Sequence, residues 1–394
     1  MAQRNTKTKV AIACQGGGSQ TAFTAGALRR ILRDPELDRS YELVALSGTS
    51  GGALCCLLAW YGLLAHADDQ QHRGTRAAEL LTAFWDENAA HDWWDLLVAN
   101  PIIVGLHRLV DGGWLPAAPP LPWVPGMVKA RLQRLLERLV SFEDLLGLLR
   151  DHPKHPTLLC GAADVLSGEF AVFEEACPDP AWRRERLVAY PPAVTVDTVL
   201  ASAAVPPLMP AVPIGDGLYW DGLFAHNPPI RDLVDRARSM RPDEIWVIQI
   251  DPETTPHAPS SVVDTVDRRF ELSSNLSLNA ELHWIRQVNQ WIDERILPTS
   301  GFKLIKVARI QMSQALADRL DLASKVDRSP GYLHKLMADG ERQVGGFLQE
   351  RQDPGAPWWE PMFPHRYRER QGKPDREAGN GRAASRRPST RVPG

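Results

Sequence analysis

The chain has 394 residues and is 44% hydrophobic, enough for one large or two ordinary domains with a substantial core. Its formal net charge of -3 makes no general electrostatic case for nucleic acid. The five cysteines, Cys14, Cys55, Cys56, Cys160 and Cys177, are odd in number, mostly within apolar runs, and include no C-x-x-C pair. That pattern argues against a zinc site or a disulfide framework and fits small buried hydrophobes in a reducing compartment.

The polar stretch Met1 to Lys9 has no signal-peptide hydrophobic region. Lys9 to Cys14 reads as a buried strand that breaks into Gln15-Gly16-Gly17-Gly18-Ser19. A helix is expected next, with Ala22, Phe23, Ala25, Ala27, Leu28, Ile31 and Leu32 apolar and Arg29, Arg30 and Arg33 near its end, where cations suit the helix dipole. Leu43 to Leu46 predicts a second buried strand, and Gly48-Thr49-Ser50-Gly51-Gly52 follows it as G-x-S-x-G. Ala53 to Ala65 is a helix-compatible apolar run of thirteen residues, too short to span a bilayer and better read as a core helix. Strand, tight turn with a serine at its tip, then helix is the layout of a nucleophile elbow; a serine-capped helix start is the plainer alternative.

This repeated strand, Gly-rich loop and helix predicts an α/β protein with a mostly parallel sheet. Ligands in such sheets sit beyond the carboxyl ends of the strands, where both Gly-rich loops lie. The Gly16-Gly17-Gly18 loop is a poor dinucleotide fingerprint, because Thr21 stands where the third glycine belongs. It suits either a plain tight turn or an oxyanion hole, in which backbone N–H groups converge at a helix N-terminus.

From Gln70 to Gly126 a polar helix, about Thr75 to Trp85, leads into a Trp- and Pro-rich region holding Trp93, Trp94, Trp114, Pro119, Pro120 and Trp123. It reads as an insertion packed on the main domain or as a lid lining an acyl pocket or a lipid interface. Val128 to Val140 is an amphipathic helix, and Ser141 resembles the cap of the next one. Thr157 to Val165 and Glu169 to Glu174 predict a hairpin through Leu166-Ser167-Gly168. A short helix at Thr198 to Ala204, a strand-and-turn stretch at Ile214 to Asn227 with two Asp-Gly pairs, and a strand at Glu244 to Ile250 follow. Beyond these come helix at Asp264 to Ile296, strand at Lys303 to Gln311 and helix at about Tyr332 to Gln349. The run Arg268 to Asn279 is polar enough for a binding surface, and an exposed helix face is the plainer reading. Past Asp353 the chain is rich in Pro, Gly, Arg and Ser, with nine basic residues against three acidic ones from Arg366 on, and disorder is expected.

A serine nucleophile needs a base. Of eleven histidines, only His226 stands near an acid in a Gly-rich loop; the carboxylate candidates are Asp216 and Asp221, each at a strand end before a glycine. Four ordered blocks now carry a resemblance: Gly16-Gly17-Gly18, Gly48-Thr49-Ser50-Gly51-Gly52, Ala201-Ser202-Ala203-Ala204-Val205-Pro206, and Tyr219-Trp220-Asp221-Gly222 with Asn227-Pro228 behind it. Their order and spacing, over about Val10 to Ile250, resemble the patatin-like phospholipase family. The resemblance implies a three-layer α/β/α fold with a mostly parallel central sheet and a Ser–Asp dyad without an essential histidine. Ser50 would then be the nucleophile and Asp221 the base, with Gly16, Gly17 and Gly18 as the oxyanion loop, mostly through the backbone of Gly17 and Gly18. Two departures stand out: Gln20 and Thr21 replace a basic residue and a glycine, and Leu223 follows the Asp-Gly pair where Gly or Ala is usual.

The reading of the chain is then a patatin-like catalytic domain over 1–250, with a Trp/Pro-rich cap or insertion at 70–127, a mainly helical extension over 251–352 and a basic tail over 353–394. The expected function is a serine lipid acyl hydrolase of phospholipase A or lysophospholipase type, acting on a phospholipid or another acyl ester. It needs no cofactor or metal, has no nucleic-acid partner, and is cytoplasmic with room for peripheral membrane contact; the oligomeric state is not predicted. A Ser-His-Asp esterase of the α/β-hydrolase type and a non-catalytic scaffold or nucleotide-binding protein are the alternatives.

Overall fold

The two apolar runs at the start of the chain become neighbouring parallel strands. In the computed structural model, which describes residues 7–91, 95–111, 124–175, 194–235, 241–255, 258–353 and 359, β1 (Thr8–Cys14) pairs with β2 (Tyr41–Thr49), placing Cys14 opposite Gly48. The other strands are β3 (Thr157–Asp164), β4 (Phe170–Glu175), β5 (Val212–Ile214), β6 (Gly217–Asp221), β7 (Glu244–Gln249) and β8 (Lys306–Gln311). They form a single sheet in the order β5-β6-β3-β2-β1-β7-β8, with β4 also paired to β3. The β3-β2-β1-β7-β8 stretch is parallel, and β4, β5 and β6 add an antiparallel end. The expected hairpin is β3–β4, turned with Gly168 at φ 74°.

The helices are α1 (Ala22–Leu32), α2 (Gly51–Ala65), α3 (Arg73–Asn88), α4 (Asn100–Asp111), α5 (Val124–Leu139), α6 (Leu145–Asp151), α7 (Val196–Ser202), α8 (Arg231–Val234), α9 (Val262–Asp293), α10 (Gln314–Ala317) and α11 (Pro330–Gln352). Side chains alternate across a strand, so β1 serves two cores. Val10, Ile12 and Cys14 pack with residues of α1, α2, α3 and α11 on one face. Ala11 and Ala13 pack with Leu278, Leu282 and Ile285 of α9 on the other. This is the three-layer α/β/α arrangement.

Helix α2 is apolar on every side because it is enclosed on every side, from Gly51 through Trp60. Among the described helices none is long and apolar enough to cross a membrane. Cys14, Cys55, Cys56 and Cys160 are buried and unpaired, which suits small apolar filling, and burial pushes the Cys160 thiol up to about 12. Cys177 lies outside the described residues.

Within the Trp/Pro-rich stretch, α3 is part of the core through Phe84 and Trp85. Trp93, Trp94, Trp114 and residues 119–123 lie outside the described residues, as does the basic tail. One cap is corrected. The helix after Val140 starts at Leu145 rather than behind Ser141, whose hydroxyl donates to Asp144 (2.7 Å). The stretch 251–352 is mainly helical, and it also supplies β8 to the sheet and sets α11 against α1.

Candidate active site

The site is assembled where β2 leaves the sheet. β2 pairs with β3 only as far as Thr49 opposite Gly161. β4 occupies the other edge of β3, so β6 takes over the vacated edge, with Asp221 opposite Ala162, the next residue along. Strand pairing alone therefore brings Asp221 beside Ser50 across a sequence separation of 171.

Ser50 stands between β2 and α2 at φ 56° and ψ -132°. A non-glycine residue rarely holds a positive φ, at a cost of roughly 1–3 kcal/mol, unless its surroundings over-determine it. Here they do. The Ser50 N–H donates to the carbonyl (3.0 Å) and to the hydroxyl oxygen (3.1 Å) of Ser202 in α7, and the Ser202 hydroxyl donates to the Gly161 carbonyl at 2.6 Å. The turn's glycines have contact reasons. A Cβ on Gly52 would fall 2.3 Å from the Cys14 carbonyl oxygen, and one on Gly51 2.1 Å from Thr21 Oγ1.

Asp221 is fully buried. Its Oδ1 accepts from the Leu223 N–H at 2.9 Å, and its Oδ2 is buried without a hydrogen-bond partner among the described residues. Burial pushes the carboxyl up to about 7, against the opposing pull of the Ser50 hydroxyl, the Leu223 N–H and the Lys325 charge. The Ser50 hydroxyl is thus close enough to act on the carboxylate, yet closes no hydrogen bond of good geometry onto Oδ2. Asp216, the other Asp-Gly candidate, sits exposed in the turn between β5 and β6. Gly222 after Asp221 is needed for close approach, since a Cβ there would lie 2.6 Å from the Gly161 carbonyl oxygen.

The glycine loop abuts this pair. A Cβ on Gly16 would meet the Ser50 Cβ at 2.7 Å. The Gly16 N–H is already committed to Asn227 Oδ1 (2.6 Å), whereas nothing among the described residues accepts from the N–H of Gly17 or Gly18. Gly18 adopts φ 56° above the Lys325 carbonyl oxygen, 2.3 Å from where its Cβ would stand. The loop carrying these two unassigned N–H donors therefore adjoins a serine whose other neighbour is a carboxylate pushed up to about 7 by burial.

Residues that sequence reasoning gave no role hold this loop. Gln15 is fully buried; its Oε1 accepts from the N–H of Ile250 (2.7 Å) and Asp251 (2.9 Å), and its Nε2 donates to Ser274 Oγ (2.8 Å). Asn227 Nδ2 also donates to Ser274 Oγ (2.9 Å). The run Arg268 to Asn279, expected as an exposed helix face, is corrected: Ser274 and Asn275 are buried, because they satisfy Gln15, Asn227 and Gln249. Gln20 and Thr21, the two departures in the glycine block, also tie it down. Gln20 Nε2 donates to Ser324 Oγ (2.8 Å) and the Thr21 hydroxyl to the Gly18 carbonyl (2.6 Å).

His226 is turned to other work. Its Nδ1 pairs with Glu281, its ring lies 4.2 Å from that of Phe170, and its carbonyl accepts from the Thr49 hydroxyl. Among the described residues no histidine hydrogen-bonds Ser50, and no group of three or more His, Cys, Asp or Glu side chains is arranged to hold a metal ion.

Comparison with known families matches residues 12–234 to the patatin-like phospholipase model. The match covers more than half of the chain, and the protein belongs to the patatin-like phospholipase family. It is accordingly a lipid acyl hydrolase, an enzyme acting on lipid acyl esters. No curated protein matches the chain.

Proposed function

We propose that the enzyme cleaves the acyl ester of a phospholipid or lysophospholipid through an acyl-enzyme on Ser50, with Asp221 as general base and the N–H groups of Gly17 and Gly18 as oxyanion donors. The observation that carries this reading is the buried Oδ2 of Asp221, without a hydrogen-bond partner among the described residues, beside a serine held at a positive φ. A carboxylate whose affinity for a proton is near neutral is matched to taking one from a hydroxyl at physiological pH.

Asp221 takes the Ser50 proton as Oγ bonds to the ester carbonyl carbon, and the carbonyl electron pair moves to the oxygen facing Gly17 and Gly18. Collapse of that intermediate breaks the ester C–O bond, and Asp221 returns the proton to the departing alcohol. Water then attacks the acyl-enzyme with Asp221 again as base, and the proton goes back to Ser50 as the fatty acid leaves. His226 has no step in this sequence. Gly16 stiffens the loop through Asn227 and leaves the oxyanion to its two successors.

A fluorophosphonate probe is expected to label the wild-type protein at Ser50 alone, as read by peptide mass spectrometry, and to leave Ser50→Ala unlabelled. Labelling elsewhere, or hydrolysis of a fluorogenic acyl ester by Ser50→Ala, refutes the reading.

Peripheral contact with lipid is part of the proposal. Helix α4 exposes Ile102, Ile103 and Leu109 to solvent, an apolar stripe suited to a bilayer interface. The chain is expected to co-sediment with phospholipid vesicles and to do so less well as Ile102→Asp/Ile103→Asp. Equal sedimentation of the two would remove α4 from the contact.

A further inference from the structure

The turn Leu322–Val326 lies beyond the family match, yet it forms the floor of the glycine loop. Gln20 Nε2 reaches both the Asp321 carbonyl (3.2 Å) and Ser324 Oγ from above, and the Lys325 carbonyl oxygen fills the space where a side chain on Gly18 would be. The Lys325 side chain runs back toward the other end of the loop. Its Nζ donates to Asp251 Oδ1 at 2.8 Å, and the Asp251 N–H donates to Gln15 Oε1. Gln15 begins the loop and Gly18 ends it. Lys325 thus closes a ring, carbonyl under Gly18 and ammonium through Asp251 to Gln15, that encloses every residue of the oxyanion segment.

We propose that Lys325 is a positioning residue for the acyl hydrolysis: its ammonium sets the geometry of the Gly17–Gly18 donors and brings a cation to the Ser50–Asp221 pair. The inference rests on the dyad proposed above.

The electrostatics agree with the geometry. Among the described residues, Lys325 is the one charged side chain that acts on Asp221, and it does so in the direction that keeps the carboxylate ionised. Lys325 itself is largely covered, with a side chain one-fifth exposed, and Asp251 is 3% exposed. Burial alone would lower the lysine pKa; Asp251, Asp267 and Glu271 around it outweigh that and raise it, so the cation is retained. A covered cation in a low-dielectric setting interacts more strongly with developing charge than one in water.

The substitution Lys325→Met separates charge from shelf, because the backbone carbonyl beneath Gly18 stays. In hydrolysis of a soluble p-nitrophenyl acyl ester between pH 5 and pH 9, kcat is expected to fall about 10- to 100-fold, as for a small misplacement of catalytic groups. KM should be little changed. The acid limb of the pH–rate profile should move to higher pH, since Asp221 loses the cation that opposes its protonation. Lys325→Arg should restore most of kcat and return the limb. Lys325→Met/Asp251→Asn removes the carboxylate stranded by the single change, and should keep the fold by circular dichroism while showing the same loss and the same displaced limb. Wild-type kcat with an unmoved limb in a folded variant overturns the proposal, and so does a fall in kcat with an unmoved limb that Arg fails to rescue. Ser50→Ala, assayed alongside, tells the two levels apart. If it is inactive, failure at Lys325 concerns Lys325 only; if it is active, the dyad falls and this inference with it.

Discussion

Asp221→Asn is expected to lower kcat by roughly 10²- to 10⁴-fold, the contribution typical of a positioned general base, and at the same time to stabilise the fold above neutral pH. Both effects come from one buried carboxylate. Asn keeps the shape and still accepts from the Leu223 N–H, but its amide nitrogen presents hydrogens to Ser50 where the carboxylate oxygen would accept one. The stability effect follows from the carboxyl being held at about 7 rather than its ordinary 3.8, which corresponds to ~4 kcal/mol against the ionised form in the folded state. A group whose folded pKa is raised contributes its stability below the unfolded value and loses it as pH climbs through the folded value. The wild-type protein should therefore weaken between about pH 4 and pH 7, in step with the rise in activity as the base ionises. Urea unfolding at pH 5 and pH 8 should show a steeper loss in wild type than in Asp221→Asn. Some slope should remain in the variant, since Asp267 is also raised to about 7 and Glu271 is raised, both chiefly by burial. A variant with wild-type kcat, or one equally pH-sensitive in stability, would show that Asp221 neither takes the proton nor sits against its own ionisation.

This coupling explains which parts of the site were legible in the sequence. Ser50 was legible because an elbow needs a local pattern, an apolar strand, small residues and an apolar helix, all within about twenty positions. The proposed base was not local. Asp216 and Asp221 each precede a glycine, and only the four-block resemblance preferred Asp221. Its physical distinction is the β6 register on β3, which buries Asp221 and leaves Asp216 exposed in a turn. The supports of the glycine loop were illegible for a related reason. Gln15, Asn227, Ser274 and Lys325 are ordinary polar residues, and contacts such as Gln15 to Ser274 cross 259 positions. Polarity at Arg268 to Asn279 suggested solvent, because a buried polar residue and an exposed one look alike until the partner is known. The α/β class was legible from the start, because apolar runs alternating with helix-compatible segments permit few other arrangements. The antiparallel end of the sheet was less so, since β5 and β6 are short and half-exposed.

Gly26→Val should destabilise the protein by about 3 kcal/mol or more, whereas Gly346→Ala should stabilise it by roughly 0.5–1 kcal/mol. The two glycines lie in α1 and α11, the helices that pack against each other on the face of the sheet carrying Val10, Ile12 and Cys14. A Cβ on Gly26 would stand 1.9 Å from the Met337 carbonyl oxygen, and one on Gly340 2.1 Å from that of Phe23. Both obstructing atoms are backbone, so relief requires the whole helix to move, and that would open contacts down to Trp246 and Phe347, whose rings meet at 5.1 Å. At Gly346 nothing lies within 4 Å of an added Cβ, so only the gain in helix propensity remains. Thermal unfolding of the two variants reads the contrast directly. If α11 were a loosely attached extension, Gly26→Val would cost no more than an ordinary valine in a helix, a fraction of a kcal/mol. If it completes the core, the loss should be global, and it should reach the site, because α11 follows directly on the segment holding Ser324 and Lys325 under the glycine loop. Ester hydrolysis by Gly26→Val should then fail at a lower temperature than in wild type, at the same temperature as the fold, with Ser50 and Asp221 untouched.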